Sequence, residues 1–351
     1  MGILFRKSKE CIAWVVPSSS RNPDKHLASV WIRSLQMVPY LEEMGFNCTL
    51  NRLFPNPAIA IFLRRYSNED VKLASKLKSK GTKIVLEVIV NYFEVYSSNE
   101  QGYGVCNKEQ HYNFMKLVEL ADEIWCASPF LKYIADKYHP NVVFVSDSID
   151  HKHFSQRKHY KVISKPLRIG WSGVSVKAHT LNMFEPWISN DAVSLCVISE
   201  KPPKLEVPYE FIKWSYKRFP MDIVNCDLCV APRKFDNNYD RGHSLFKIGV
   251  FMTEGIPALA SPVPSYELIL GDGKGGHICR TSEEWNEYIE ICLNDENVLK
   301  RWSGEAVKSS EPYSTLNISK QIAKRIKFLQ EMECRFESKL SDETIYKENS
   351  S

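Results

Sequence analysis

From Cys11 onward, apolar runs of strand length alternate with longer segments of helical period, and the alternation is set out twice along the chain. Such a pattern predicts βαβ units and mainly parallel sheets with helices on both faces. The first set places strands near 11–16, 48–53, 58–63, 83–89, 123–127 and 142–145, and helices near 26–44, 68–80, 111–121 and 130–138. Gly45 and Gly81 follow two of those helices, and Ser128-Pro129 offers an N-cap followed by proline at the first helical position. The second set has strands near 167–171, 193–198, 227–231, 256–260 and 277–279. Thr281-Ser-Glu-Glu284 predicts a capping box before a helix over 285–293. A last amphipathic helix from about 318 to 332 follows the break at Pro312-Tyr313.

A chain of 351 residues is too long for a typical single core, and the basic stretch 155–166, ending in Pro166, reads as a linker. The expected organisation is an α/β pair of doubly wound, Rossmann-like domains facing a cleft. The first spans 1–155, the linker 156–166 and the second 167–314; a C-terminal helix over 315–340 packs back across the domains, and 341–351 form a frayed tail. With 44% hydrophobic and 25% charged residues the composition is that of a soluble globular protein. A net charge of +4 is too weak and too dispersed to imply nucleic acid, and leaves open peripheral contact with an anionic membrane face. Ten cysteines lie in apolar runs such as Leu195-Cys-Val and Ile291-Cys-Leu, which suits free thiols in a reducing cytoplasm. Cys226 and Cys229 have no second pair to complete a zinc site, and no metal is expected. The apolar run at 11–16 is too short for a signal segment or a membrane span.

The stretch from Arg241 to Pro264 joins a cationic turn, a helix and a buried strand. Arg241, His243 and Lys247 lie at or just before a helix start, where unpaired backbone N–H groups and the helix dipole favour an anion such as phosphate. Gly255 ends that helix, and the strand after it delivers Ser261-Pro-Val-Pro264 to its carboxyl end, where open α/β sheets bind ligands. A solvated turn with three surface cations fits the same residues. Gly170-Trp-Ser-Gly173 after the first strand of the second domain, with Lys177 just beyond, is a second place where backbone could approach a pyrophosphate. It is neither a GxGxxG fingerprint nor a P-loop. In the first domain Ser18 to Pro23, with Ser19 near its start, leads into a helix bearing Ser29 and Arg33. Glu87, Asn91 and Glu94 stand near another strand end. Ser19, Arg33, Glu87 and Asn91 are the acceptor-side candidates. No GxSxG elbow or HExxH motif is present.

Taken together, Leu167 to Gly173, Cys226 to Pro232, the unit through Pro264, Tyr266 to Ile269, Ser282 to Trp285 and Pro312 to Ser314 resemble the retaining GT-B glycosyltransferases of the family 4 type. In the first half, Ala121 to Ser128 followed by Val145 to Asp150 is similar to the close of that family's acceptor domain. The resemblance implies a GT-B architecture and metal-independent transfer of a hexose-type sugar from a nucleoside-diphosphate sugar to a glycan or lipid-linked acceptor. The nucleotide sugar is a substrate, so no cofactor is implied. Lys247 would meet the donor phosphates, assisted by Arg241 and the turn at Gly173, with Lys177, His243 and Ser244 close by; Ser261, Ser265 and Glu267 would also lie near the donor.

The chain departs from the family at one point. Many members carry two glutamates eight positions apart, and alignment on Lys247 and Gly255 puts Gly242 and Val250 there; Glu254 lies out of register. A noncatalytic GT-B-like binding or scaffold subunit, and a sugar-nucleotide epimerase, are the alternatives. No residue is assigned as catalytic.

Overall fold

The computed structural model describes residues 11–25, 27–96, 106–160, 165–235, 237–271, 273–295 and 297–348, with side chains as far as 331. Two six-stranded sheets, parallel throughout, organise them. The first comprises β1 (Cys11–Val15), β2 (Asn47–Leu50), β3 (Ile59–Leu63), β4 (Lys83–Val88), β5 (Glu123–Cys126) and β6 (Val142–Phe144), in the order β2-β1-β3-β4-β5-β6. The second comprises β7 (Leu167–Ser172), β8 (Val193–Ser199), β9 (Glu210–Lys213), β10 (Leu228–Ala231), β11 (Ala258–Ala260) and β12 (Gly276–Ile278), in the order β12-β11-β10-β7-β8-β9. The winding direction reverses between β1 and β3 in one sheet and between β7 and β10 in the other, so each domain has a crevice at the carboxyl ends of those strands. Their interiors read as continuous apolar runs because helices cover both faces; β1, β3, β10 and β11 are buried along their whole length.

Local sequence rules account for many element boundaries. The Ser128 hydroxyl accepts from the Leu131 amide at 3.1 Å and caps Pro129–Ala135. Gly45, Gly81 and Gly255 take φ of 91°, 86° and 79° after their helices. Thr281 caps Ser282–Asn294 by accepting from the Glu284 amide at 3.3 Å, but the Glu284 carboxylate reaches back to the Arg280 amide instead of that of Thr281. The expected first long helix over 26–44 is broken: Ala28–Val30 passes into a π-helical turn at Trp31–Leu35, and α-helix resumes at Val38–Glu43.

The first domain is closed by the end of the chain. The final helix runs Thr315–Glu348, past the expected limit near 340, and 349–351 lie outside the described residues. Its Ile318, Ile322, Ile326 and Leu329 join Ile12, Trp14, Ile61 and Trp125 in one buried cluster. Arg325 pairs with the Glu123 carboxylate, and Gln321 donates to the Phe144 carbonyl at 2.7 Å. In the other direction Ile149 and Phe154 sink into the core of the second domain. Among the described residues no helix is long and apolar enough to cross a membrane.

Candidate functional site

The carboxyl ends of β7, β10 and β11 bring a group of nitrogens together in the second domain. Lys177 Nζ donates to the Tyr239 hydroxyl at 3.1 Å and lies 3.2 Å from His243 Nε2. His243 Nδ1 faces the carbonyls of Tyr239 and Asp240 at 3.0 and 3.2 Å, so the ring proton resides on Nδ1 and Nε2 presents its lone pair to Lys177. Lys247, in the first turn of Phe246–Thr253, holds Nζ 4.1 Å from the centre of the Trp171 ring. Arg233 follows β10; it donates from Nε to Tyr266 at 3.1 Å and from Nη1 to Asp240 at 3.0 Å, while its amide donates to Ser261 Oγ at 2.8 Å.

Electrostatically this is a cationic site short of counter-charge. Burial, with help from Arg233, lowers the Lys177 ammonium from its ordinary range to about 8. Burial also pushes Lys247 well below the usual lysine range, and Arg233 and Lys177 push it further. His243 is held well below the usual histidine range by burial and then by Arg233, Lys177 and Lys247. Among the described residues Asp240 is the carboxylate that opposes Lys177 and Lys247, and it is already paired with Arg233. An anion entering beside Lys177 and Lys247 would relieve the mutual repulsion. Alongside lies a cavity of about 220 Å³ at the carboxyl ends of β10, β11 and β12, lined by Pro232, Arg233, Ser261, Cys279, Arg280 and Trp285 among others.

Gly173 contributes space rather than a donor. Its amide is engaged by the Ile198 carbonyl at 3.2 Å, and its own carbonyl accepts from Ser199 Oγ at 2.7 Å. A Cβ there would come within 2.8 Å of both Lys247 Nζ and the Trp171 ring. The expectation that this turn offers its backbone to a pyrophosphate is therefore corrected at Gly173 itself. Arg241 is corrected as well: it is exposed and lies over the Phe130 ring of the first domain at 4.6 Å, rather than among the Lys177, His243 and Lys247 nitrogens. Ser244 Oγ donates to Asp147 Oδ2 at 2.5 Å, also across the cleft. Ser265 is buried beside Tyr266, and its hydroxyl has no hydrogen-bond partner among the described residues. Glu267 pairs with Arg280 at 2.7 Å on the surface.

On the first domain's side, Ser19 stands in an exposed loop beyond β1. Arg33 and Glu87 are not open acceptor groups. Both are fully buried and paired with each other, and Arg33 Nη1 also reaches Asp147 Oδ1 at 2.9 Å and the Val145 carbonyl at 3.0 Å. Burial outweighs the attraction of Arg33 and raises the Glu87 carboxyl to about 7. Asn91 is buried too; its Nδ2 donates to the Tyr96 hydroxyl at 2.7 Å, which donates to Glu94 at 2.7 Å, and Asn238 of the second domain donates to the same carboxylate at 2.9 Å. Gly242 is pressed against Leu131, with room for a Cβ only 3.1 Å from its Cδ2, and Val250 lies in the core. Glu254 is buried at the far end of the helix that begins beside Lys247; its carboxyl is raised to about 8 by burial, against the pull of Arg157. It is remote from the cationic group.

Sequence reasoning missed Trp171, Arg233 and Tyr239 as parts of this site. Arg233 stands two residues after the end of β10, as Ser261 stands just after β11, so the strand-end rule that selected Ser261 could have found it.

No family model matches the chain, and a search of curated proteins finds no relative. Solved structures do resemble it. Sucrose-phosphate synthase from Thermosynechococcus elongatus superposes with a TM-score of 0.68 at 10% identity, over 91% of this chain and 99% of that one. Anabaena HepE in complex with UDP and glucose gives 0.61 at 12% identity, over 91% and 99%. An α-glucosyltransferase in complex with UDP gives 0.62 at 12%, over 90% and 99%. The architecture of this chain, two doubly wound domains meeting at a cleft, is that of the GT-B glycosyltransferases.

Proposed function

We propose that this protein is a glycosyltransferase that moves a hexose-type sugar from a nucleoside-diphosphate sugar to a glycan or lipid-linked acceptor, with retention of configuration and without a metal ion. The observation that carries the reading is the convergence of Lys177, His243 and Lys247 at a strand-end crevice. Burial and the nearby charge of Arg233 lower all three pKa values, the condition that a bound diphosphate would relieve. The adjoining 220 Å³ cavity is of a size to receive a nucleoside, with the diphosphate reaching Lys177 and Lys247. As the sugar leaves, negative charge builds on the diphosphate, and the two ammonium groups would stabilise it there. Binding of UDP to two structural neighbours makes uridine nucleotides the first donors to try. A protein of the cytoplasm, where nine described cysteines remain free and buried, fits the same reading.

Calorimetric titration with UDP-glucose, UDP-N-acetylglucosamine and GDP-mannose tests it, with transfer or slow donor hydrolysis followed in the presence of a chelator. At least one donor is expected to bind, and Lys247→Ala to weaken it about tenfold or more, the scale of one charge-assisted hydrogen bond. Failure of every donor to bind, or affinity indifferent to Lys247→Ala, would overturn the reading. Donor binding with neither transfer nor hydrolysis would favour a noncatalytic binding subunit, the second reading that Gly242 and Val250 support.

A further inference from the structure

The crevice between β1 and β3 holds a cation that the donor reading does not use. Arg64 follows β3 directly and takes φ of 55°, a left-handed conformation that a long side chain rarely adopts. That backbone twist separates it from its neighbour. Arg65 is neutralised by Asp70 at 2.5 Å and also donates to the Val16 carbonyl, whereas the half-buried Arg64 has, among the described residues, one side-chain hydrogen bond, from Nη1 to Ser29 Oγ at 3.3 Å. Among the described residues no carboxylate pairs with Arg64. Within those residues, four of its five N–H donors have no partner. Its charge is felt by Tyr66 and Tyr92 on its own domain and by Tyr239 on the other, the residue whose hydroxyl accepts from Lys177. Arg64 thus faces the same cleft as the donor cations, from the opposite wall and at the corresponding strand-end crevice.

We infer that the acceptor carries an oxyanion, a phosphate ester or a carboxylate, and that the fork of Arg64 with the Ser29 hydroxyl receives it in the crevice between β1 and β3. Guanidinium suits this task because its planar donors match two oxygens of either group at once. An anion placed there sits beside Arg64 while the departing diphosphate sits beside Lys177 and Lys247, so two negative groups in one cleft are each matched by their own cations. The inference rests on the glycosyl-transfer reading for the word acceptor, but the site itself can be tested apart from it.

The full chain, saturated with UDP so that the donor cations are occupied, is titrated with inorganic phosphate, glucose 6-phosphate, glucuronate, farnesyl phosphate and neutral glucose. The anionic probes are expected to bind at least tenfold more tightly than glucose. Farnesyl phosphate against glucose 6-phosphate separates a lipid source from a soluble sugar, and glucuronate separates carboxylate from phosphate. Arg64→Asn tolerates the left-handed backbone and removes the charge; it should bring the anions down to the level of glucose while UDP affinity, the control for folding, is retained. Equal affinity for glucose and the anions, absence of anion binding, or anion binding that survives Arg64→Asn would each overturn the inference. If UDP does not bind, that bears on the donor nucleotide and not on this site, and the same probes in a Lys177→Ala/Lys247→Ala background still decide the role of Arg64.

Discussion

Lys177 is caught between two demands, since folding buries its ammonium beside Arg233 and a bound diphosphate would want it charged. Its pKa of about 8 in the free protein, below the ordinary 10.5, gives both demands a sign. Below pH 8 the folded and unfolded chains both hold the proton, and the full cost of the buried charge is present. Between 8 and 10.5 the unfolded chain holds more protons than the folded one, so stability of the unliganded protein rises with pH across that window. Ligand binding runs the other way, because an anion raises the pKa and is bound best by the protonated form. UDP affinity is expected to be highest below pH 8 and to fall as pH rises through 8, and titrations from pH 6.5 to 9.5 would check it. A flat profile would mean that Lys177 does not meet the diphosphate. His243 and Lys247 were legible as site residues because they occupy the turn before a helix and that helix's first turn, a place that sequence marks. Arg64 was not, since Arg64 and Arg65 are indistinguishable until the backbone sends one to Asp70 and the other to the cleft.

At the scale of elements, buried parallel strands announce themselves as unbroken apolar runs, and so the strands of both sheets could be read with one exception. β9, with the sequence Glu-Phe-Ile-Lys, is an edge strand with no fully buried residue, and nothing in its pattern distinguishes it from loop. The π-helical turn at Trp31–Leu35 was equally invisible, because a single widened turn leaves no periodic mark. That turn is what carries Arg33 between Glu87 and Asp147. Arg33→Ala would leave Glu87 buried with no cation, a change expected to cost roughly 3 to 5 kcal/mol. Urea unfolding would register it as a lower midpoint with an unchanged slope. A loss below about 1 kcal/mol would show that Glu87 is accommodated as the neutral acid.

The molecule as a whole is tied across its cleft by small polar contacts. Ser244 meets Asp147, Asn238 meets Glu94, and the Tyr216 amide donates to Asp24 at 2.9 Å, while Trp31 packs between Trp214, Tyr216 and Phe246. The final helix makes the larger connection, placing Ile318, Ile322, Ile326 and Leu329 in the core of the first domain; each such side chain contributes about 1.5 to 3 kcal/mol when fully buried. A chain ending at Ser314 is therefore expected to lose amide protection in β1 and β3 while β10 and β11 keep theirs, as hydrogen exchange would report. Equal protection in both sheets would mean that the first domain stands without the helix.

This placement also sets an order of events during synthesis. β1 to β6 leave the ribosome first, yet the residues that cover one of their apolar faces are made only after the whole of the second domain. The domain born first is finished last, and until then it presents sticky surface to the crowded interior of the cell, which makes it the half of the nascent chain with most need of a chaperone.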